Sequence, residues 1–378
     1  MSLRKLFSAK AATPAHTTAG RVMETRQALK NLRAPLATWH SGPPRTPSSV
    51  EANASVRLSG PFADVMVEAP PRRIALDDPV FTMGSCFARN LEIALMNRHG
   101  RVVNIDLKAL DIPAFKDAKG EIRLGYFHRY TPQAMLQEVK RAFGELPGWD
   151  EEASLVFAVG DGFIDTHFGW LNDGANRLQD VTQRRAIARD LTSAAADAKL
   201  MVFTLGLTEA WRHRPSDLWL NKANLVLLTR RPGDYELRLT SYQETMDCLE
   251  ELLATLRRHH RTGDFRFVIT VSPVPLQATF TGRDIIVANM DSKATLRAAA
   301  GAFALRHPDQ VSYFPSYEIV LHSDQAQALE ADRAHVSKAV VEAIMDRFLD
   351  AYVEGGARSG SARQASGPGQ LGLGGGSR

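Results

Sequence analysis

Two runs of the chain carry enough apolar residues in succession to form strands that are buried on both faces of a sheet. The run 200–205 reads Leu-Met-Val-Phe-Thr-Leu, and 265–271 is a second candidate of this kind. Strands without polar alternation are typical of parallel sheets, whose two faces are both covered by helices. Because parallel neighbours need a long crossover connection, these runs predict an α/β architecture.

The segments around these runs alternate between strand and helix patterns. Other β segments are predicted at 80–83, 101–105 and 311–314, with hairpins at 155–168 and between 219–229 and 235–239. Helices are predicted at 87–97, 132–143, 178–197, 241–259, 292–305 and 336–352. Thr131 before Pro132, and a capping box from Ser241 to Glu244, mark two of the helix starts. We therefore expect a mostly parallel sheet covered on both faces, with hairpin insertions.

Composition divides the chain into three parts. Residues 1–58 are rich in Thr, Ser and Pro, and Lys and Arg crowd the first fifty positions, where Glu24 is the only acid. We interpret this part as a largely disordered, solvated basic tail in which residues 20–36 have the pattern of a short basic amphipathic helix. Residues 355–378 are rich in Gly and Ser and predict a flexible tail. The folded domain is expected over residues 59–354.

Composition also excludes several classes of protein. Cys86 and Cys248 are the only cysteines, too few for a disulfide framework and without the spacing of a zinc site. No run reaches the ~18 apolar residues of a membrane span, and the N-terminus lacks the apolar core of a secretory signal. The expectation is a cytoplasmic protein without a transmembrane segment, with no metal, no cofactor and no nucleic-acid partner.

The carboxyl ends of the predicted parallel strands are where a site is expected in such a sheet. After the first strand, Gly84 allows a sharp turn into a helix whose positive end favours a thiolate and offers free N–H groups to an oxyanion. This predicts a nucleophile at Ser85 or Cys86. The alternative is purely structural, with Ser85 as a helix N-cap and Cys86 as a small buried residue.

A second cue lies near the end of the chain, where Asp332 precedes His335 by three positions before the last predicted helix. At this spacing the carboxylate can hold the imidazole Nδ1–H and leave Nε2 free as a base. A surface helix start with Asp332 as its cap is the alternative. Together with the turn after the first strand, the pair predicts a catalytic triad in the order nucleophile, Asp, His.

Several blocks of the chain resemble one family of bacterial proteins. The segment 84–88 reads Gly-Ser-Cys-Phe-Ala, the pentapeptide that names the GSCFA family, and further blocks in the same order are similar to it: 126–132, 203–211, 270–276, 292–297 and 313–318. This family is similar to the SGNH/GDSL hydrolases. The resemblance implies a three-layer α/β/α sandwich that acts as an esterase or acyl-transfer enzyme on lipids, carbohydrates or their O-acyl groups.

Carried over onto this sequence, the resemblance assigns roles to the candidate residues. Cys86 falls on the superfamily's nucleophilic serine, and a shift of one position would place Ser85 there. Asp332 and His335 fall on its Asp-x-x-His pair. Gly206 and Thr208 fall on its oxyanion segment, where Thr208 replaces an asparagine.

The predicted activity is hydrolysis or transfer of an acyl ester, with O-acyl groups of a carbohydrate or polysaccharide as the expected substrate. Glu209, Trp211, Lys293 and Tyr130 are candidates for substrate binding. The competing hypothesis is a catalytically weak carbohydrate-binding or assembly protein that uses the same pocket, motivated by the departures at Cys86 and Thr208.

Overall fold

The computed structural model describes residues 23–32, 36–39, 52–70, 72–117, 119–168 and 176–355. Contacts between Cα atoms divide the chain into two compact units, Met1–Ser59 and Gly60–Arg378. In the first unit the described residues form helices α1 (Thr25–Leu32) and α2 (Ala54–Arg57). Helix α1 lies in the segment whose sequence predicts a basic amphipathic helix. Most of the predicted basic tail, and the Gly/Ser-rich tail beyond Gly355, lie outside the described residues.

The second unit alternates strands and helices. Its strands are β1 (Val80–Met83), β2 (Val156–Val159), β3 (Gly162–Asp165), β4 (Leu200–Leu205), β5 (Glu209–His213), β6 (Leu218–Leu220), β7 (Tyr235–Leu239), β8 (Arg266–Val271) and β9 (Val311–Phe314). Its helices are α3 (Cys86–Met96), α4 (Leu107–Leu110), α5 (Pro132–Ala142), α6 (Leu178–Ser193), α7 (Leu225–Arg230), α8 (Tyr242–His259), α9 (Ile285–Arg306), α10 (Ser316–His322), α11 (Gln325–Ala328) and α12 (Lys338–Tyr352).

Four strands form a parallel central sheet in the order β1-β4-β8-β9. Val80 is paired with Leu200, and Leu200 with Arg266, so the strands start in register at one edge. Their carboxyl ends therefore meet at the opposite edge, where the turns after β1 and β4 lie beside each other. The predicted parallel sheet is confirmed, and β4 is buried along its whole length as its unbroken apolar run requires.

Helices cover both faces of this sheet. On one face, Val80 and Val202 pack in a core with Phe87 and Leu91 of α3 and with apolar residues of α12, including Phe348. On the other face lies a second core, to which the sheet contributes Phe81, Phe203 and Phe267 and helices α5, α8 and α9 contribute Met135, Leu249, Leu253, Leu296 and Phe303. Side chains of a strand alternate between these cores, as the period of two dictates. The second unit is therefore a three-layer α/β/α sandwich.

Helix starts follow their sequence signals. The Thr131 side chain accepts a 3.2 Å hydrogen bond from the Ala134 N–H at the start of α5. At the start of α8, the Ser241 side chain accepts from the Glu244 N–H while the Glu244 carboxylate accepts from the Ser241 N–H. Both caps satisfy N–H groups that a helix cannot bond internally.

The predicted hairpin between 219–229 and 235–239 is wrong. In the structure β5 is the central strand of an antiparallel sheet and pairs with both β6 and β7. The apolar residues before Arg231 form α7, which begins at a cap in which Asn224 accepts from the Leu227 N–H. A short apolar run fits a helix or a strand equally well, and here the N-cap decides.

Two further elements differ from their predicted extent. Residues 101–105 contribute a single parallel bridge, between Val102 and Val80, rather than a strand. Helix α9 begins at Ile285, seven residues before its predicted start, with Asp284 as its cap. None of the described helices is long and apolar enough to cross a membrane.

Candidate active site

The turn after β1 is shaped by close packing around Gly84. A Cβ built on Gly84 would lie 2.7 Å from Thr204 Cβ and 3.0 Å from Thr204 O on the neighbouring strand β4. On its other side, the Gly84 carbonyl accepts a 2.8 Å hydrogen bond from the Arg129 N–H. Glycine is required here because no side chain fits between the turn and β4. The packing fixes where Ser85 and Cys86 begin the next helix.

Ser85 and Cys86 occupy different environments in this turn. Ser85 is the N-cap of α3 and is 5% exposed, and its hydroxyl makes no capping bond. Cys86 is the first residue of α3 and is only half-buried. Cys86 is thus the more exposed of the two candidate residues.

The pKa of the Cys86 thiol results from opposing effects. Burial raises the pKa above its ordinary value of 9.0, and the Ser85 hydroxyl, the N–H groups of Phe87 and Cys86, and the charge of Lys293 act in the opposite direction without cancelling the effect of burial. Backbone N–H groups at a helix start have no partner inside the helix, so they are available to a thiolate or to an oxyanion formed beside it.

The turn after β4 lies beside the first. A Cβ on Gly206 would lie 2.6 Å from Tyr130 O, so this position also excludes a side chain. The next residue, Leu207, donates its N–H to the same carbonyl at 2.8 Å. The Thr208 N–H donates to Ser292 Oγ at 3.0 Å. The backbone N–H of Thr208 is therefore occupied. Among the described residues the Gly206 N–H forms no hydrogen bond, so Gly206 is the predicted oxyanion donor whose backbone N–H is free.

Lys293 reaches this region from α9. Its side chain is fully buried, with no exposed surface, and Nζ donates a 2.8 Å hydrogen bond to the Gly206 carbonyl. Burial lowers the pKa of Lys293 to about 7, and the Cys86 thiolate acts in the opposite direction. The predicted substrate-binding lysine is therefore buried against the oxyanion turn, within electrostatic range of the candidate nucleophile.

Tyr130 lies on the loop that packs against both turns. Its N–H donates to Asn221 Oδ1 at 3.1 Å, and Asn221 Nδ2 donates to the His128 carbonyl at 2.8 Å. Burial, followed by the nearby Cys86 thiolate, raises the pKa of Tyr130 to about 12. His128, whose ring lies 3.3 Å from the Tyr130 hydroxyl, has its pKa lowered to about 3 by burial and by Arg89 and Arg129, so its imidazole is neutral at pH 7.

A buried ionic network holds this loop from behind. Glu138 accepts hydrogen bonds from Arg129 at 3.0 Å, Arg141 at 2.8 Å and His167 at 2.5 Å, and all four side chains are enclosed. Burial raises the pKa of Glu138, but the two arginines outweigh it and hold the pKa well below its usual range. Arg129 therefore connects a buried carboxylate to the Gly84 carbonyl, which stabilises the nucleophile turn.

Asp332 and His335 adopt the paired geometry that their spacing predicts. Asp332 Oδ2 lies 2.5 Å from His335 Nδ1, and Asp332 Oδ1 accepts from the His335 N–H at 2.9 Å. The hydrogen bonds from His335 lower the pKa of Asp332. The His335 side chain is 69% exposed, and among the described residues no hydrogen bond joins it to Cys86 or Ser85.

The Asp332–His335 pair nevertheless lies at the same edge of the sheet as Cys86. Helix α12, which follows it, packs against α3 through a shared core and an ion pair between Arg98 and Asp346. The Tyr352 carbonyl at the end of α12 accepts the Ile74 N–H, at the edge of the sheet where β1 begins. Because α12 ends there, its start and the loop before it lie towards the carboxyl ends of the strands.

The other two predicted substrate-binding residues face the loop before α9. Glu209 accepts hydrogen bonds from the Thr279 hydroxyl at 2.5 Å and from the Phe280 N–H at 2.9 Å. The Trp211 ring packs edge-on against the Phe280 ring, with 5.2 Å between their centroids. These contacts hold the loop before α9 in place. In the free protein Glu209 and Trp211 therefore stabilise the conformation of this loop.

Sequence reasoning missed Asn221, Ser292 and Arg129, which position the site without belonging to its chemistry. Arg129 and Ser292 lie inside blocks that resemble the GSCFA family, which was a usable signal, whereas Asn221 lies in a segment with no motif. Among the described residues, no group of three or more His, Cys, Asp or Glu side chains is placed to hold a metal ion.

Comparison with known proteins gives one family. Residues 79–348 match the model of the GSCFA family, so the chain belongs to that family. The matched span begins one residue before β1 and ends inside α12, and it therefore includes both turns, Lys293 and the Asp332–His335 pair. No curated protein matches the chain.

Proposed function

We propose that this member of the GSCFA family is an acyl-ester hydrolase or acyltransferase that uses Cys86 as its nucleophile. The observation that carries the proposal is the position of Cys86 at the first residue of α3, where it is half-buried and its sulfur lies next to the backbone N–H groups of Cys86 and Phe87. A thiolate at such a position is a strong nucleophile, and the same N–H groups stabilise the charge that develops on an attacked carbonyl oxygen.

The proposed reaction has two stages. His335 takes the proton of the Cys86 thiol, the sulfur attacks the ester carbonyl, a C–S bond forms, and the carbonyl oxygen becomes an oxyanion held by the N–H groups of Cys86 and Gly206. When the tetrahedral intermediate collapses, the C–O bond breaks and the alcohol leaves with a proton donated by His335. In the second stage, water or an acceptor hydroxyl gives a proton to His335 and attacks the thioester carbon. A C–O bond forms, the C–S bond breaks, the acid or the new ester leaves, and the proton on His335 returns to the Cys86 sulfur.

His335 completes the proposed triad. Asp332 accepts the His335 Nδ1–H, which leaves Nε2 free to exchange a proton with substrate. Since His335 is exposed and not bonded to Cys86, the loop 330–335 must approach Cys86 when substrate binds. Such tightening is common, because catalytic hydrogen bonds are often long before substrate is present.

We further propose O-acyl groups of a carbohydrate or polysaccharide as the substrate class, following the resemblance to SGNH hydrolases. Tyr130 supports this proposal because an aromatic side chain beside the nucleophile offers both a ring face and a hydroxyl to a sugar. Both cysteines are free, which supports a cytoplasmic, reducing location.

Covalent labelling tests the proposed nucleophile. Wild type, Ser85→Ala, Cys86→Ala and His335→Ala are each treated with iodoacetamide and with a fluorophosphonate and then weighed intact. We expect rapid alkylation that is lost in Cys86→Ala, with Cys248→Ala as the matched control that keeps it, because burial raises the pKa of Cys248 to about 12. Fluorophosphonate labelling lost only in Ser85→Ala would assign the nucleophile to serine, and labelling no faster than in unfolded protein would refute a triad.

A second candidate function is favoured by the separation of His335 from Cys86. A protein that binds a saccharide without turnover needs the pocket but not the triad, and the hydroxyl of Thr208 is a weaker oxyanion donor than an amide. This candidate predicts saturable binding of an O-acylated oligosaccharide that is equal in wild type and His335→Ala, with no release of acid. Acid release that depends on Cys86 excludes it.

A further inference from the structure

Lys293 is an unusual buried cation. Its side chain has no exposed surface, and Nζ donates one hydrogen bond, to the Gly206 carbonyl at 2.8 Å. Among the described residues no carboxylate forms an ion pair with it. A buried ammonium group without a carboxylate partner is costly in free energy, so proteins seldom keep one without a functional reason.

The group that Lys293 interacts with electrostatically is the Cys86 thiol. The interaction acts in both directions, because the thiolate favours the charged lysine and the charged lysine favours the thiolate. A carbonyl oxygen compensates only part of the ammonium charge. The positive charge of Lys293 therefore acts on the atom that must become negative in an acyl-transfer reaction.

The other titratable groups around Cys86 do not supply this charge. Arg89, one turn along α3, is paired with Glu92 at 2.6 Å, so its charge is already balanced. Tyr130 is neutral at pH 7 because its pKa is raised to about 12. Among the described charged groups near the thiol on α3, α9 and the Tyr130 loop, Lys293 is the cation without a carboxylate partner.

We infer that Lys293 is a positioning residue that, in its charged form, stabilises the Cys86 thiolate when the thiol loses its proton and, through its bond to the Gly206 carbonyl, fixes the oxyanion turn beside it. The thiol proton leaves to His335 or to water, and the positive charge of Lys293 favours the thiolate that remains. The inference rests on the proposed function, because a stabilised thiolate serves an acyl-transfer reaction. The effect of Lys293 on the pKa of Cys86 can nevertheless be measured without an ester.

The pH dependence of Cys86 alkylation tests this inference. In a Cys248→Ala background, the rate of iodoacetamide labelling is measured against pH for the parent protein and for Lys293→Met, Lys293→Arg and Lys199→Met. Lys199 is the matched control because it precedes β4, at the edge of the sheet opposite Cys86, and pairs with Asp264.

We expect the apparent pKa of Cys86 to rise by about one unit or more in Lys293→Met, which lowers the labelling rate at pH 7 about tenfold for each unit. Lys293→Arg should restore part of the rate because it keeps the charge, and Lys199→Met should match the parent. A purely structural Lys293 would alter stability without moving the apparent pKa, and an unchanged apparent pKa in Lys293→Met would overturn the inference.

A second measurement covers the case in which Lys293→Met does not fold. In protein labelled with [13C]lysine, the chemical shift of Lys293 Cε is followed against pH in the parent and in Cys86→Ala. We expect the pKa of Lys293 to fall when the thiol is removed, and equal titrations in the two proteins would contradict the pairing. Neither readout needs an ester. If the apparent pKa of Cys86 rises in Lys293→Met but no ester is turned over, the proposed function alone is contradicted. If ester is turned over but the apparent pKa of Cys86 does not change, the role of Lys293 alone is contradicted.

Discussion

Gly84 and Thr204 approach each other so closely that a single methyl group cannot be inserted between the nucleophile turn and the neighbouring strand. A Cβ at position 84 would lie 2.7 Å from Thr204 Cβ. The contact joins the end of β1 to β4 and sets the direction in which α3 leaves the sheet. The placement of Cys86 depends on this contact.

Gly84→Ala is therefore expected to destabilise the fold by about 1–3 kcal/mol, the usual cost of overpacking a close contact. It should also slow alkylation of Cys86, since the turn must shift to admit the methyl group. Thermal unfolding gives the first quantity and iodoacetamide labelling the second. Gly233→Ala is the matched control, because a Cβ there meets nothing within 4 Å, and equal stability of the two variants would contradict the packing argument.

Glu138→Gln should be among the most destabilising changes at a position outside the proposed chemistry. Glu138 is the shared acceptor of Arg129 and Arg141, and its neutralisation leaves two buried guanidinium groups without their common anion. We expect a loss of about 3–5 kcal/mol in the free energy of unfolding, measured by urea denaturation.

The control for this variant is Glu251→Gln. Glu251 is a partly exposed carboxylate that pairs with Lys140 and Arg258, where the loss should stay below about 1 kcal/mol. Similar losses in Glu138→Gln and Glu251→Gln would show that the buried network adds nothing beyond a surface pair.

Stability should rise with pH just above neutrality because of Lys293. Its pKa is about 7 in the folded protein and 10.5 ordinarily, so between these values the unfolded chain binds more protons. The free energy of unfolding then increases with pH, at most by about 1.4 kcal/mol per unit. The range from pH 7 to about 8.5 isolates this effect. The raised pKa of Cys86 lowers the free energy of unfolding with rising pH, but only near and above the ordinary thiol pKa of 9.0.

Urea denaturation at several pH values within this range measures the slope. Lys293→Met should remove the rise, whereas Lys199→Met should keep the wild-type slope. The prediction fails if wild type and Lys293→Met change in parallel.

Asp332→Asn tests the second half of the proposed triad. An amide at position 332 no longer holds the His335 tautomer with the proton on Nδ1, and in a triad this change lowers turnover by up to roughly 10⁴-fold. Hydrolysis of p-nitrophenyl acetate measures it. Asp324→Asn is the control, because Asp324 is likewise exposed and accepts a backbone N–H, from Ala326 at 3.0 Å. Equal turnover in both variants would remove Asp332 from the mechanism.

The sequence predicted the features of this protein that depend on local pattern. The buried strands β4 and β8, the caps of α5 and α8, and the Asp332–His335 hydrogen bond all follow from residue types at fixed spacing. The parallel order of the sheet follows because such strands need helical crossovers.

Features that depend on distant contacts could not be predicted. The choice of β5 as the partner of β7 is made by residues more than twenty positions apart, and the apolar run of α7 fits two structures. The role of Asn221 depends on a loop ninety-one positions away, at Tyr130. The burial of Lys293 could not be predicted from its charge, because a lysine on a helix is usually solvated and this one is fully buried.

Trapping of an acyl-enzyme tests the central claim most directly. Protein in a Cys248→Ala background is mixed briefly with p-nitrophenyl acetate, quenched in acid, and weighed intact before peptide mapping. We predict one acetyl group on Cys86, held as a thioester that neutral hydroxylamine removes, and no acetyl group in Cys86→Ala. An acetyl group on Ser85, or acid release without any acetylated protein, would contradict Cys86 as the nucleophile.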